Sequence, residues 1–153
     1  DPRGRVVISE VNAEVPQYHV EIPSRRTWQP VLAPLDVDGG TTRIELKRGE
    51  ELVVTAIDKA SGLPVPGVEV YAIRHPASTT LFVPNLFEAE ARTDDEGEAR
   101  FSNLPNTKVR VGLRGMNVKS ADEGIVHPGR ERQIALRGEI PEWSDLHPKP
   151  HQE

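Results

Sequence analysis

The chain lacks cysteine, has few aromatic residues and contains no long apolar run. Without cysteine it has no disulfide, no thiol nucleophile and no zinc site built on thiolates. Aromatic residues make up only 5% of the 153 residues, and no Lys/Arg cluster is combined with an aromatic platform, which disfavours nucleic-acid binding. No segment approaches the roughly 20 apolar residues of a membrane-spanning helix. The net charge of −5 favours solubility.

A convincing helical stripe is also missing, whereas proline and glycine are frequent, with 14 and 12 copies. They divide the sequence into short runs in which apolar and polar residues alternate, a pattern typical of half-buried strands. A more continuous apolar run predicts one strand that is buried more completely. The alternating runs are residues 43–47, 68–73, 98–101 and 108–114, and the continuous run is 52–57.

Turn residues separate these runs. Residues 94–97 (Asp-Asp-Glu-Gly) predict a tight turn in which Asp94 accepts backbone hydrogen bonds and Gly97 has a positive φ. Short strands at this spacing, with turns between them, predict an all-β, antiparallel β-sandwich.

Part of the sequence occurs twice. Residues 1–9 are a weak echo of 94–102, and residues 44–50 resemble 134–139, which indicates a repeat of roughly 90 residues. We therefore expect the chain to begin inside a domain.

The repeat predicts three parts. Residues 1–48 are the C-terminal half of one sandwich, 49–140 are a complete sandwich, and 141–153 are a Pro-rich tail that does not touch the core. Because half a sandwich exposes strand edges, it would pack on the complete unit, recruit strands from another copy or be completed by upstream residues. The alternative is one larger sandwich whose sheet the N-terminal strands extend.

An ordered series of short motifs covers the middle of the chain: residues 46–49 (Leu-Lys-Arg-Gly), 61–70, 93–97 and 101–105. The series resembles the carboxypeptidase regulatory-like domains, a transthyretin-like (prealbumin-like) β-sandwich family. The resemblance implies a Greek-key sandwich of about seven strands that sits beside another domain.

The leading functional expectation is a non-catalytic accessory module, without cofactor or metal, in a larger exported or envelope-associated bacterial protein. Its partners would be neighbouring domains of the same polypeptide, and its location extracellular, periplasmic or in the cell envelope. The first alternative is a module that binds a glycan or a peptide through its strand-end loops. Trp28 is the candidate ligand-binding residue, since an exposed Trp can stack on a ligand.

The second alternative is a small transthyretin-like hydrolase. Residues 113–116 (Leu-Arg-Gly-Met) lack the Tyr and Ser of the Tyr-Arg-Gly-Ser motif that the resemblance to hydroxyisourate hydrolases would require. An enzyme would bring at least two of His19, His75 and His127 together with an arginine. Two tyrosines, Tyr18 and Tyr71, are too far from any closely spaced His pair to predict an iron site of the intradiol dioxygenase type.

Other candidate sites are weaker. The acidic residues 94–96 lack the calcium-loop pattern, and His147 and His151 are separated by prolines that prevent a metal-binding helix. Lys47 and Asn117 are not placed as an internal isopeptide bond would require.

Overall fold

The computed structural model describes residues 7, 18–22, 31–35, 40–75, 88–115 and 117–146. These residues form a β-sandwich, which confirms the predicted all-β fold. The elements are β1 (Tyr18–Ile22), β2 (Val31–Leu35), β3 (Glu50–Asp58), β4 (Glu69–Arg74), β5 (Glu88–Arg92), β6 (Glu98–Leu104), β7 (Val109–Arg114), β8 (Ser120–Ala121), β9 (Glu123–Val126), β10 (Gln133–Glu139) and the helix α1 (Pro141–Leu146).

Two four-stranded sheets make up the sandwich. Their strand orders are β6-β3-β10-β8 and β5-β4-β7-β9, while β1 and β2 pair antiparallel in a separate two-stranded sheet. The described residues between 50 and 139 thus form eight strands, one more than the seven expected, because the two-residue β8 pairs with the end of β10.

The core follows from the period-two alternation of the strands. Leu52, Val54 and Ala56 of β3 are fully buried, and Val70 and Ala72 of β4 are buried with them. Contrary to the continuous burial expected for 52–57, β3 alternates, because every second residue points to its outer, half-buried side. Among the described residues, the core contains 16 buried apolar side chains, whose burial supplies the main favourable free energy of folding.

The turn between β5 and β6 has the predicted chemistry. Asp94 Oδ1 accepts hydrogen bonds from the backbone N–H of Glu96 and Glu98 at 3.1 and 2.9 Å, and Gly97 has φ 77°. A Cβ at Gly97 would fall 2.7 Å from Pro64 Cβ and 2.9 Å from Val65 N. The turn therefore packs against the 61–67 loop, so this position requires glycine for two reasons.

A second turn follows β3 and depends on a buried carboxylate. Asp58 is fully buried; its Oδ2 accepts hydrogen bonds from Ser61 N and Ser61 Oγ, both at 2.7 Å. Its Oδ1 accepts a longer bond of 3.4 Å from the backbone N–H of Ile140. One side chain thus joins the turn after β3 to the end of β10, because a buried charge needs such donors.

One strand pair departs from the antiparallel arrangement. β3 and β10 are parallel over six residue pairs, from Val53 opposite Gln133 to Asp58 opposite Gly138. The first and last strands of the sandwich are therefore direct neighbours.

The predicted strand at 43–47 is wrong. These residues join no strand ladder in the part of the chain that the structure describes, and Leu46 is 42% exposed. Alternation alone does not make a strand, because its backbone N–H and C=O groups need a neighbouring strand. The matching residues 134–136 do have one, since they lie in β10 beside β3.

The expectation that the tail 141–153 does not touch the core is wrong for its described residues, 141–146. Residues 141–146 form α1, and Trp143 is partly buried against the core cluster. Asn117 Nδ2 donates a 2.8 Å hydrogen bond to Glu142 Oε2, which attaches the helix to the segment after β7. Burial of the indole outweighs the irregular composition, because an aromatic side chain covers a large apolar area.

None of the described helical residues forms a segment that is long and apolar enough to cross a membrane.

Two glycines with the same backbone conformation provide a matched test of the turn packing. Gly62 has φ 75°, and a Cβ added there would meet nothing within 4 Å. A Cβ added at Gly97 would instead clash with Pro64 and Val65. We expect Gly62→Ala to lower the free energy of unfolding by about 1–2 kcal/mol, the cost of a left-handed conformation. Gly97→Ala should cost about 1–3 kcal/mol more, because of overpacking. Urea denaturation measures both, and equal losses would contradict the packing of the turn.

Asp58→Ala should lower the free energy of unfolding by about 3 kcal/mol, because it leaves buried donors without their charged acceptor. Asp95→Ala is the control, since it also removes one negative charge but from an exposed position in the 94–97 turn. We expect the control to stay within about 0.5 kcal/mol of the unaltered chain. Thermal or urea unfolding compares them, and a small effect of Asp58→Ala would show that the buried carboxylate does not hold the turn.

Candidate functional site

The outer side of the β5-β4-β7-β9 sheet carries the densest group of interacting polar side chains among the described residues. We call this surface the charged face. Strand alternation and register place on it Glu69, Tyr71, Ile73, Glu88, Glu90, Arg92, Arg110, Arg114, Glu123 and Ile125.

Arg114, at the end of β7, is the centre of the charged face. Its Nη2 donates to Glu88 Oε1 at 2.9 Å, and its Nη1 donates to Glu90 Oε1 at 2.8 Å. Glu69 Oε1 lies 3.9 Å from Nη1. One guanidinium therefore bridges β7 to β4 and β5, because its planar donors reach several carboxylates at once.

Tyr71 lies beneath this guanidinium. The Arg114 Cζ atom is 4.8 Å from the centre of the Tyr71 ring, which is within the range of a cation–π contact. The phenol donates a 2.5 Å hydrogen bond to Glu123 Oε1 on β9. Gly112 of β7 leaves the space for the ring, since a Cβ there would collide with the Tyr71 hydroxyl.

Both side chains keep their usual protonation at neutral pH. Burial raises the pKa of Tyr71 above its ordinary 10.0, and the hydrogen bond to Glu123 raises it further. The hydrogen bond to Glu88 raises the pKa of Arg114. Tyr71 is thus a neutral phenol at neutral pH, and its hydroxyl proton is engaged by Glu123.

The charged face is arranged to join strands. Its carboxylates and guanidinium bond to one another, and one face of the Tyr71 ring is covered by Arg114. Because both groups are engaged within the sheet, we interpret the face as a cross-strand network that stabilises neighbouring strands.

Two of the three histidines proposed for a hydrolase come to the same end of this sheet. Arg74 of β4 lies opposite Val109 of β7, and Val109 lies opposite Val126 of β9. His75 and His127 come directly after Arg74 and Val126, so they occupy equivalent positions at the ends of β4 and β9, with β7 between them. Their backbones are separated by about 10 Å. Arg74 precedes His75 directly, whereas the side chain of His19 is outside the described residues.

Some polar side-chain atoms at this end of the β5-β4-β7-β9 sheet are buried without a hydrogen bond. Among the described residues, His127 Nδ1, Arg74 Nε and Thr107 Oγ1 have no hydrogen-bond partner. Two of the three histidines named from the sequence, His75 and His127, thus reach one end of the sheet next to Arg74.

Asp94, one of the candidate calcium ligands, is engaged in its own turn. Asp94 uses its carboxylate to accept the two backbone bonds of its turn. Within the described ranges, no group of three or more His, Asp or Glu side chains could hold a metal ion. Asn117, one half of the isopeptide candidate, donates its amide hydrogen bond to Glu142.

The proposed ligand-binding residue, Trp28, lies outside the described residues, and so do His147, His151 and the side chain of Tyr18. Trp143 is described and lies against the core rather than standing free.

Sequence reasoning placed Tyr71, Arg110 and Arg114 on the polar sides of their strands but did not connect them. The available signal was their alternation with core residues. The missing information was the register, which sets Tyr71 opposite Gly112 and Glu69 opposite Arg114.

Comparisons with protein-family models, with curated proteins and with solved structures gave no match.

The raised pKa of Tyr71 predicts how stability depends on alkaline pH. A pKa above 10.0 in the folded state means that folding favours the neutral phenol. This contribution is fully present below pH 10 and is lost as pH rises through the folded-state pKa. We expect the unfolding free energy of the unaltered chain to fall above pH 10 more steeply than that of Tyr71→Phe.

Absorbance at alkaline pH measures the same ionisation directly. The difference between the titrations of the unaltered chain and Tyr71→Phe should give a midpoint above 10.0. Tyr18→Phe is the control, because it removes the other of the two tyrosines and should leave that midpoint in place. A Tyr71 midpoint at or below its ordinary value would contradict the Glu123 bond.

Proposed function

We propose that this chain is a non-catalytic accessory β-sandwich module, which spaces, stabilises or presents neighbouring domains of a larger protein. The observation that carries the proposal is the use of its chemically capable side chains within the fold. Asp58 and Asp94 hold turns, and the charged face pairs Arg114 with glutamates and Tyr71 with Glu123. A catalytic site instead leaves reactive groups directed at a substrate.

The pairing of β1 with β2 supports a repeated module. β1 (Tyr18–Ile22) and β2 (Val31–Leu35) lie roughly 90 residues before β7 and β9, and each couple is an antiparallel pair of neighbours. This is the relation that a partial sandwich preceding a complete one would have. The absence of a strand at 43–47 in the described chain limits the equivalence to this pair.

The resemblance to carboxypeptidase regulatory-like domains supports the same proposal through the order of its motifs. The turns at Gly62, Gly67 and Gly97, which belong to those motifs, all adopt a positive φ. An exported or envelope-associated bacterial setting rests on the resemblance alone and stays a prediction.

The hydrolase alternative is the sharpest test of this proposal, because His75 and His127 lie at one end of the same sheet. We expect the chain at micromolar concentration to leave the decay of 5-hydroxyisourate, followed by absorbance, at the rate of buffer alone. His75→Ala and His127→Ala are the matched variants. A rate above that of buffer which either variant removes would overturn the non-catalytic function.

A further inference from the structure

The two strands that connect the sandwich to the rest of the chain are hydrogen-bonded to each other. β3 is the first strand of the sandwich and β10 the last, and they are parallel. The bonded region extends beyond the six residue pairs, from Val53 N donating to Arg132 O to Lys59 N donating to Gly138 O, both at 2.9 Å.

Parallel pairing places the two chain ends at opposite ends of one strand pair. The chain enters at Glu50 and leaves after Glu139, and the nine residues of β3 span about 26 Å at 3.3 Å per step. A force between the segments before β3 and after β10 therefore acts along the strands.

The direction of force decides how hydrogen bonds break. When force acts along a strand pair from opposite ends, all the bonds between the strands are stretched together, and they must fail nearly at once. When force acts across the pair at one end, the bonds break one after another, each at low force. An antiparallel terminal pair has its ends together and opens in the second way, whereas the parallel β3–β10 pair is loaded in the first.

The surroundings of the pair strengthen this arrangement. Strand β3 is held on its other side by β6 and contributes buried Leu52, Val54 and Ala56. In the described part of the chain, β10 has two further residue pairs, with β8, so it is the strand that leaves, by sliding along β3. Buried Leu136 and the bond from Ile140 N to Asp58 Oδ1 oppose that movement.

We propose that the sandwich transmits tension between the parts of the chain on its two sides, and that the β3–β10 pair is its mechanical clamp. This rests on the proposed accessory function and adds a physical task, resistance to pulling. α1 lies outside the clamp and is expected to detach first, because it is attached beyond the end of β10.

The chain contains no cysteine, so two introduced cysteines define the points at which force is applied. Glu51→Cys with Glu139→Cys pulls the clamp along its strands. Glu51→Cys with Gln133→Cys pulls it across, because these residues lie at the same end of the pair. The three replaced side chains are exposed, and equal urea midpoints for the two variants would establish that they differ only in pulling direction.

Optical tweezers with DNA handles on the cysteines measure the unfolding force, which reports the unfolding rate under load. We expect a several-fold higher force for the 51/139 pair than for the 51/133 pair. Equal forces, or a higher force for 51/133, would overturn the clamp while leaving the accessory function intact. Hydrolysis of 5-hydroxyisourate would instead overturn the accessory function and leave the force measurement unaffected.

Discussion

The pairing of β3 with β10 is the constraint on which the rest of the sandwich depends. It joins residues about 80 positions apart in sequence, so the entropy of closing that loop must be offset by many contacts made together. This pair is the centre of the β6-β3-β10-β8 sheet, with β6 on one side and β8 on the other. The same closure brings Ile140 to Asp58, so the buried carboxylate gains the Ile140 N–H donor only in the closed sandwich.

Polar groups in this molecule serve two structural purposes in different environments. Asp58 is buried and satisfied by hydrogen-bond donors, which makes it costly to remove but gives little free energy in itself. The charged face is partly exposed to water, so each of its ion pairs contributes at most a modest amount. Together, the side chains of the charged face fix the register of neighbouring strands. Arg114 connects β7 to Glu88 and Glu90 of β5, and Tyr71 connects β4 to Glu123 of β9.

Much of the fold was accessible from local patterns, because those patterns reflect local physics. Alternation identified the inner faces of β4, β6 and β7, and the Asp94–Gly97 chemistry identified the turn between β5 and β6. The failures share one cause, which is dependence on distant partners. Residues 43–47 alternate but pair with no other strand in the described chain. Trp143 lies in a proline-rich segment but packs on the core.

The residues of the candidate functional surfaces show the same division between local and long-range determinants. By itself the sequence determined strands β3, β4, β6 and β7, the tight turns that need glycine and the polar sides of Tyr71 and Arg114, since each depends on residues a few positions apart. Tertiary structure alone decided that β3 and β10 run parallel, that Arg114 covers Tyr71, and that His75 and His127 reach one end of a sheet. These are matters of register and strand order, and they arise because the buried faces of the two sheets must be filled simultaneously by residues far apart in the chain.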